Sequence, residues 1–439
     1  MNTTIKTNIP TALLSYLEST AATHANQSFR TQALDSLLNQ GLPNKKSEEY
    51  KYSPVEKFFK ELNFSSKGNS PNADIFKTLN YPKLRGVEVF AINGIIVASS
   101  HTEPVEVSGS TIKIQSLKQA MLENNKIADT YLGQLSSKNQ DPFIALNNAA
   151  FEDGIFIHLE KNAIVEEPIH IINYVTSQEN CLIQPHHLFV FEENSQTTII
   201  ETTIIKGSSV GFVYNSLVEM QAAENSKINY YRLQLGSKSD DTKKAAVFNT
   251  QINQEKNSTV DTNTITINTS WLRNNHNIVL NGTNCEAHLN GLFLINNHQH
   301  VDNHTLVDHQ QPHCQSNQLY KGILSDKSTG IFNGKIFVRK DAQKTNAYQS
   351  SKNILLSDDA TINAKPQLEI YADDVKCSHG SSTGKIDTDA LFYLRARGVG
   401  EESARRLLLH AFANDVIETI KNEELQMTIK EIIEKQLYV

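Results

Sequence analysis

Apolar residues recur in three different rhythms along this chain. Over the first 80 positions the spacing is helical: Leu13, Leu14 and Leu17, then Ala33, Leu34, Leu37 and Leu38. Residues three and four apart share one face of an α-helix, so these sets predict two amphipathic helices. Gly41 followed by Pro43 is a stop signal. A further helix is predicted to begin within 57–62. The polar stretch 65–72, with its Gly and Pro, reads as a linker.

From about 85 to 375 the rhythm is that of strands. Short runs rich in Ile, Val and Thr occur at 197–205, 247–252, 260–267, 289–295 and 330–338. Helical spacing returns only around 117–122 and 143–151. Asn-Gly pairs at Asn93-Gly94, Asn281-Gly282, Asn290-Gly291 and Asn333-Gly334 are expected to turn tight corners, since both residues tolerate positive φ. Strand, polar corner, strand recurs without intervening helices, at spacings too irregular for a strict repeat. A sandwich, a barrel and a parallel β-helix all fit this pattern. The enrichment in Asn and Thr favours stacked coils, in which polar side chains can ladder.

Past 387 the chain is helical again. Asp387 or Thr388 caps a helix running through Arg397 and stopped by Gly398. Glu401 and Glu402 open a second helix, where acidic groups suit the helix dipole. Its expected apolar face is Ala404, Leu407, Leu408, Ala411 and Phe412, continued by Val416 and Ile420. A third helix is predicted over 425–437. The expected organisation is a helical region over 1–80, a β core over 85–386 and a helical subdomain over 387–439.

Composition narrows the function classes. The chain has 439 residues and a formal net charge of -7. It carries no Lys/Arg-rich block, which argues against a nucleic-acid binder. No apolar run approaches a membrane span, and residues 1–10 lack the apolar centre of a secretory signal. Cys181, Cys285, Cys314 and Cys377 are widely spaced and form no Cys-x-x-Cys. In a chain this long they read as free thiols of a reducing compartment, so the cytosol is expected. The first three read as core thiols. The chain has no P-loop, nucleophile elbow or dinucleotide fingerprint.

Two constellations carry candidate chemistry. Cys377 and His379 follow the apolar, strand-like run 368–375 and, two apart in an extended segment, face the same way. A thiol and an imidazole suit iron, zinc or a sulfur species, yet two ligands do not complete a tetrahedral site. The second is the crowded segment His298, His300, His304, His309, His313 and Cys314. Alternation puts His300, Asp302 and His304 on one face and His309, with Val307, on the other. That face reads either as a metal site, as in a cupin-like enzyme, or as a polar ladder on the solvent face of stacked coils. His186 and His187 read as surface residues at the start of a strand, and Glu166-Glu167 as a solvated corner.

Longer stretches bear a resemblance. The segment 365–380 contains Tyr371-Ala372-Asp373-Asp374-Val375-Lys376-Cys377-Ser378-His379-Gly380. With Leu391-Phe392-Tyr393-Leu394-Arg395 and Arg397-Gly398 it resembles the core signature of the SufB/SufD family of iron–sulfur cluster assembly scaffolds. Cys-Ser-His-Gly is typical of the SufD branch, where the SufB branch has Cys-Gly-Ala. Gly41-Leu42-Pro43 and Glu48-Glu49-Tyr50-Lys51-Tyr52-Ser53 resemble the family's N-terminal motifs, with Tyr50 where Trp is usual and Ser53 where Thr is usual.

The resemblance implies a mainly β fold: a right-handed parallel β-helix flanked by N- and C-terminal helical subdomains. It implies a scaffold rather than an enzyme, working with a SufB-like paralogue and a SufC-like ABC-type ATPase that the C-terminal helices engage. It also implies a transient iron–sulfur cluster at the paralogue interface, with His379 and Cys377 as metal ligands shared across it. Asp302 and His304 recur in the family without serving as its metal ligands, which favours the polar ladder over a cupin-like or polysaccharide-acting enzyme. Flavin binding, cluster nuclearity and homodimer formation without the paralogue are left open.

Overall fold

The computed structural model describes residues 8–23, 27–44, 46–60, 62, 73–99, 105–107, 110–206, 210–236 and 243–437. The linker expected over 65–72 lies outside the described residues.

From Ile155 onward the chain winds as a flattened parallel β-solenoid. Successive strands alternate between two sheets, so each strand pairs in parallel with the strand one full coil away. One sheet ends on Lys376–Gly384 and the other on Thr361–Ile370. The opposite end of the solenoid is closed by antiparallel pairs. Val87–Ile92 turns back on Ile95–Ser99 through Asn93-Gly94, and Ser110–Ser116 runs antiparallel to both Val105–Val107 and Ile155–Leu159.

The asparagines that favoured stacked coils in the sequence do form a ladder. Asn194, Asn225, Asn257 and Asn284 each donate a side-chain amide to the Asn one coil back, at 2.8, 2.9, 3.0 and 3.2 Å, the partners lying 27 to 32 residues apart. With Asn162 they all sit at φ between 58° and 65°, and His313 and Lys344 continue the column at 63° and 62°. Asn enters this left-handed region at lower cost than most residues. The residue after each corner points inward, which stacks Ser195, Ser226, Ser258, Cys285, Cys314 and Thr345 in a second, fully buried column. Cys285 and Cys314 therefore occupy serine positions, and both thiols donate to the Gly282 carbonyl, at 3.1 and 3.2 Å.

Only part of the Asn-Gly expectation holds. Asn93-Gly94 and Asn281-Gly282 lie at turns, but Asn290-Gly291 and Asn333-Gly334 lie inside the strands Glu286–Ile295 and Thr329–Val338. Here the glycine makes room. A Cβ on Gly291 would meet the Tyr320 ring at 2.3 Å, and one on Gly334 would meet Gln349 Nε2 at 2.3 Å.

Helices cover the outer faces of both sheets. Thr11–Thr23, Gln27–Gln40 and Pro142–Ala150 bury Leu13, Leu17, Leu37 and Phe143 against Val213, Ala245, Val247 and Trp271. On the other sheet, Glu401–Ile417 and Glu423–Leu437 bury Leu409, Ala413, Val416, Ile417, Ile429 and Ile433 against Ile200, Leu233, Ile265, Leu292 and Ile323. The expected face of the first of these helices holds in part: Ala404, Val416 and Ile420 are buried, and Leu408 and Phe412 pack against the same cluster. Leu407 and Ala411 are exposed, while Leu409 and Ala413 meet the sheet. Three consecutive leucines left that phase ambiguous by one residue. His186 and His187 are corrected too. Both are buried, and His186 Nε2 meets Glu219, which also accepts the backbone N–H groups of Gly133, Leu135 and Ser136.

If the corner ladder sets the coil register, Asn225→Ala loses the bonds to Asn194 and from Asn257 as well as a residue suited to positive φ. A loss of about 1–2 kcal/mol is expected, with Asn225→Gly less costly because glycine carries no Cβ. Urea unfolding midpoints compare them, and an Ala variant no less stable than the Gly variant would contradict the assignment.

Candidate functional site

Residues 371–375 form a corner, so Cys377 and His379 are not the end of the apolar run, as the sequence suggested. They lie on the next strand, in the other sheet. The shared facing is as expected. Lys376–Gly384 pairs in register with Asn346–Leu355, setting Cys377 beside Ala347 and His379 beside Gln349. In that neighbouring strand Ala347, Gln349, Ser351 and Asn353 are buried while Tyr348 and Lys352 are exposed. Cys377 and His379 thus belong to the solenoid's inward-facing rows, but in the last coil, where no further coil covers them. Cys377 is half-buried against the cluster of Ile336, Val338, Ala342, Ala347 and Ala372. His379 is exposed. Burial pushes the Cys377 thiol above its ordinary pKa, partly offset by a backbone bond to Ala347. A protonated thiol is a poor nucleophile and a poor ligand until its surroundings change.

Both strands of this last coil are sheet edges. Thr361–Ile370 carries Ile362, Ala364, Pro366 and Leu368 in register with the inward-facing Gly330, Phe332, Gly334 and Ile336. Proline lacks an N–H and is accommodated at sheet edges. The end of the solenoid therefore presents a row of half-buried apolar side chains, a thiol, an imidazole and two strands that are terminal in their sheets.

The histidine-rich segment is dispersed by the fold. His298 and His313 lie in corners, and His309 is buried inside the solenoid with Nε2 2.9 Å from Ser316 Oγ. His300, Asp302 and His304 do share the outer face of one strand, but that face is not open to solvent: the N-terminal Glu-Glu-Tyr-Lys-Tyr-Ser motif covers it. The fully buried Arg273 guanidinium donates to Asp302 at 2.8 Å and to the Glu49 carbonyl at 2.7 Å, and lies 3.8 Å over the Tyr50 ring. Ser53 bonds Asp302 and, at 3.0 Å, His300 Nε2. His304 reaches Asp302 at 2.9 Å and Glu49 at 3.3 Å. Tyr50 donates to Asp141 at 2.6 Å.

Burial opposes the Asp302 charge, but His304 and Arg273 hold its carboxyl well below the usual carboxylate range. Burial pushes His300 down to about 4. The groups that looked like metal ligands fasten the N-terminal segment to the coils. Among the described residues no group of three or more His, Cys, Asp and Glu is arranged to hold a metal ion.

Residues 174–412 match the family described as "SUF system FeS cluster assembly, SufBD core domain", and residues 13–171 match "SufBD protein N-terminal region". The chain belongs to the SufBD family. Its relatives include the iron–sulfur cluster assembly protein SufD of Escherichia coli (strain K12), 28% identical over 91% of this chain and 90% of that protein. An iron–sulfur cluster assembly SufBD family protein of Synechocystis sp. is 29% identical over 92% of this chain and 89% of its own length. The chloroplastic protein ABCI7 of Arabidopsis thaliana is 27% identical over 91% and 84%. Membership of the SufBD family makes this an iron–sulfur cluster assembly protein. No helix among the described residues is long and apolar enough to cross a membrane.

Sequence reasoning missed Arg273 and Gln349. Arg273 carries no local motif. Gln349 was reachable only by counting one coil back from His379, a period set by the positive-φ column rather than by any apolar rhythm.

Asp302→Asn leaves Arg273 buried without its countercharge, and a loss of about 3–5 kcal/mol is expected at pH 7. The folded-state pKa of Asp302 lies below the ordinary carboxylate value of about 3.9. Its stabilisation is therefore full above that value and fades as pH falls through the folded-state pKa. Urea unfolding at pH 7 and in the acid range should show the gap between wild type and Asp302→Asn narrowing with acidity. A gap independent of pH would contradict the ion-pair account.

Proposed function

We propose that this chain is the SufD-like subunit of a cytosolic assembly scaffold, pairing with a SufB-like paralogue and served by a SufC-like ABC-type ATPase. The carrying observation is the bare last coil. Its two edge strands end the solenoid, with Cys377 and His379 on the inward-facing rows of a coil that no further coil covers. Unpaired edges of this length invite another chain, and natural proteins usually protect them. A paralogue with the same coil geometry would extend both sheets and bury Ile362, Ala364 and Leu368. His379 then supplies an imidazole at the junction, a ligand suited to iron. Iron and sulfide are cargo here, and the remaining ligands come from the paralogue. Nothing in this reading requires turnover by the chain itself.

The ATPase contact is assigned to the helix Thr388–Ala396. It is capped by Asp387, has no buried residue, and exposes Phe392 and Tyr393 by 73% and 57%. Truncation from 388 onward is a poor test of this assignment. It would also remove the helices covering Ile200, Leu233, Ile265 and Ile323, side chains worth about 1.5–3 kcal/mol each when buried.

In the reconstituted complex, His379→Ala is expected to abolish cluster formation, followed by its absorbance, while size-exclusion chromatography still shows pairing. Cys377→Ser should be milder, since that thiol packs against the core. Full cluster yield from His379→Ala would remove this residue from the mechanism. Phe392→Glu should abolish ATPase binding without lowering the thermal midpoint. Undiminished binding would move the contact elsewhere.

A further inference from the structure

Behind His379 the solenoid interior holds a short column of polar side chains. Leu289, Gln318, Gln349 and His379 occupy one register position on four successive coils. Gln349 is 3% exposed, and Gly334 across the interior gives its amide space. Its Nε2 is turned back to the preceding coil, donating to Gln318 Oε1 at 3.0 Å, and that oxygen also accepts from Thr305 Oγ1 at 2.8 Å. Among the described residues, Gln349 Oε1 is buried and has no partner. A buried acceptor left unmet is destabilising. The next residue in register, one strand spacing of about 4.8 Å away, is His379.

We propose that Gln349 is the positioning residue of His379: its unpartnered side-chain oxygen is placed to accept the N–H of the imidazole when the ring turns towards it, which leaves the other ring nitrogen as a free lone pair at the open end of the stack. A neutral imidazole has one N–H and one acceptor nitrogen, and the bond made by one decides which the other is. Ligand histidines are oriented in this way by a carboxylate or carbonyl behind them. Gln318 and Thr305 complete the arrangement by fixing which end of the Gln349 amide faces back. The proposal deepens the role given to His379 above and rests on it. The amide relay would hold the lone pair ready before any partner or metal arrives.

The test uses the full chain with 15N-labelled histidine at about pH 8, where an ordinary imidazole is neutral. Ring 15N–1H correlations identify the protonated nitrogen, and the signal lost in His379→Gln assigns the residue. The wild-type ring is expected in one tautomer. Gln349→Met, similar in length but without the acceptor, should return it to the mixture of a solvated imidazole. Gln349→Glu, which keeps an acceptor, should restore the bias. The other histidine signals, His309 among them, should stay in place and report that the fold is unchanged. A solvent-like mixture in wild type, or a tautomer unmoved by Gln349→Met, would overturn the proposal. In the reconstituted complex Gln349→Met should slow cluster formation about 10-fold or more. The tautomer measurement needs neither iron nor paralogue, so a failure of the positioning role is distinguishable from a failure of His379 as a ligand.

Discussion

Each coil of this solenoid satisfies its backbone on the coil that follows, and the last coil has none to follow. Parallel in-register pairing commits every strand to two neighbours, so the stack needs a closure at each end. At the N-terminal end the chain provides one, folding antiparallel hairpins against Ile155–Leu159 and Ile169–Val175. At the other end the chain leaves through Lys376–Gly384 into the C-terminal helices, and Thr361–Ile370 and Lys376–Gly384 remain terminal in their sheets. The position of Cys377 and His379 follows from this asymmetry. They lie on the inward-facing rows of the last coil, at the open end of the stack.

The remainder of the molecule fixes that end without occupying it. N-terminal helices cover one sheet and C-terminal helices the other, which leaves the solenoid's end as the accessible face of the β core. The Arg273–Asp302 pair binds residues 48–53 across two strands. On the opposite sheet Lys321 donates to the Phe412 carbonyl at 2.8 Å and pairs with Asp415, anchoring the long C-terminal helix close to the final coils. Between that anchored helix and the last strand lies Thr388–Ala396, which touches little of the core. An ATPase gripping this helix would pull on the same end of the solenoid that carries His379.

Much of this was legible in the sequence, for identifiable reasons. Strand runs and helices were found where β-branching or three-four spacing is strong. The ladder of asparagines was legible as composition, though its positions were not. Local rules marked Asn-Gly as the corner, whereas the corners mostly use Asn alone, and two of the Asn-Gly glycines instead admit Tyr320 and Gln349 to the interior. The site was read as two residues with a common facing, and the fold bears that facing out. What the chain could not display locally is proximity across coils. Arg273 with Asp302, His186 with Glu219, and Gln349 with His379 are neighbours only once the coil period of 27 to 32 residues is known. In the histidine-rich segment the alternation of His300, Asp302 and His304 against His309 was legible, but the cover that residues 49–53 lay over the first face was not.

In the function proposed above, the uncapped final coil is the docking edge of the assembly scaffold. Backbone amide exchange tests it most directly, measured on the full chain alone and with a SufB-like paralogue. Free edge amides exchange readily, and amides recruited into a continued sheet become protected. Strong new protection is expected over both Thr361–Ile370 and Lys376–Gly384, with little change along the asparagine corners. Stable binding of the paralogue that leaves both strands exchanging at their free rates would contradict it.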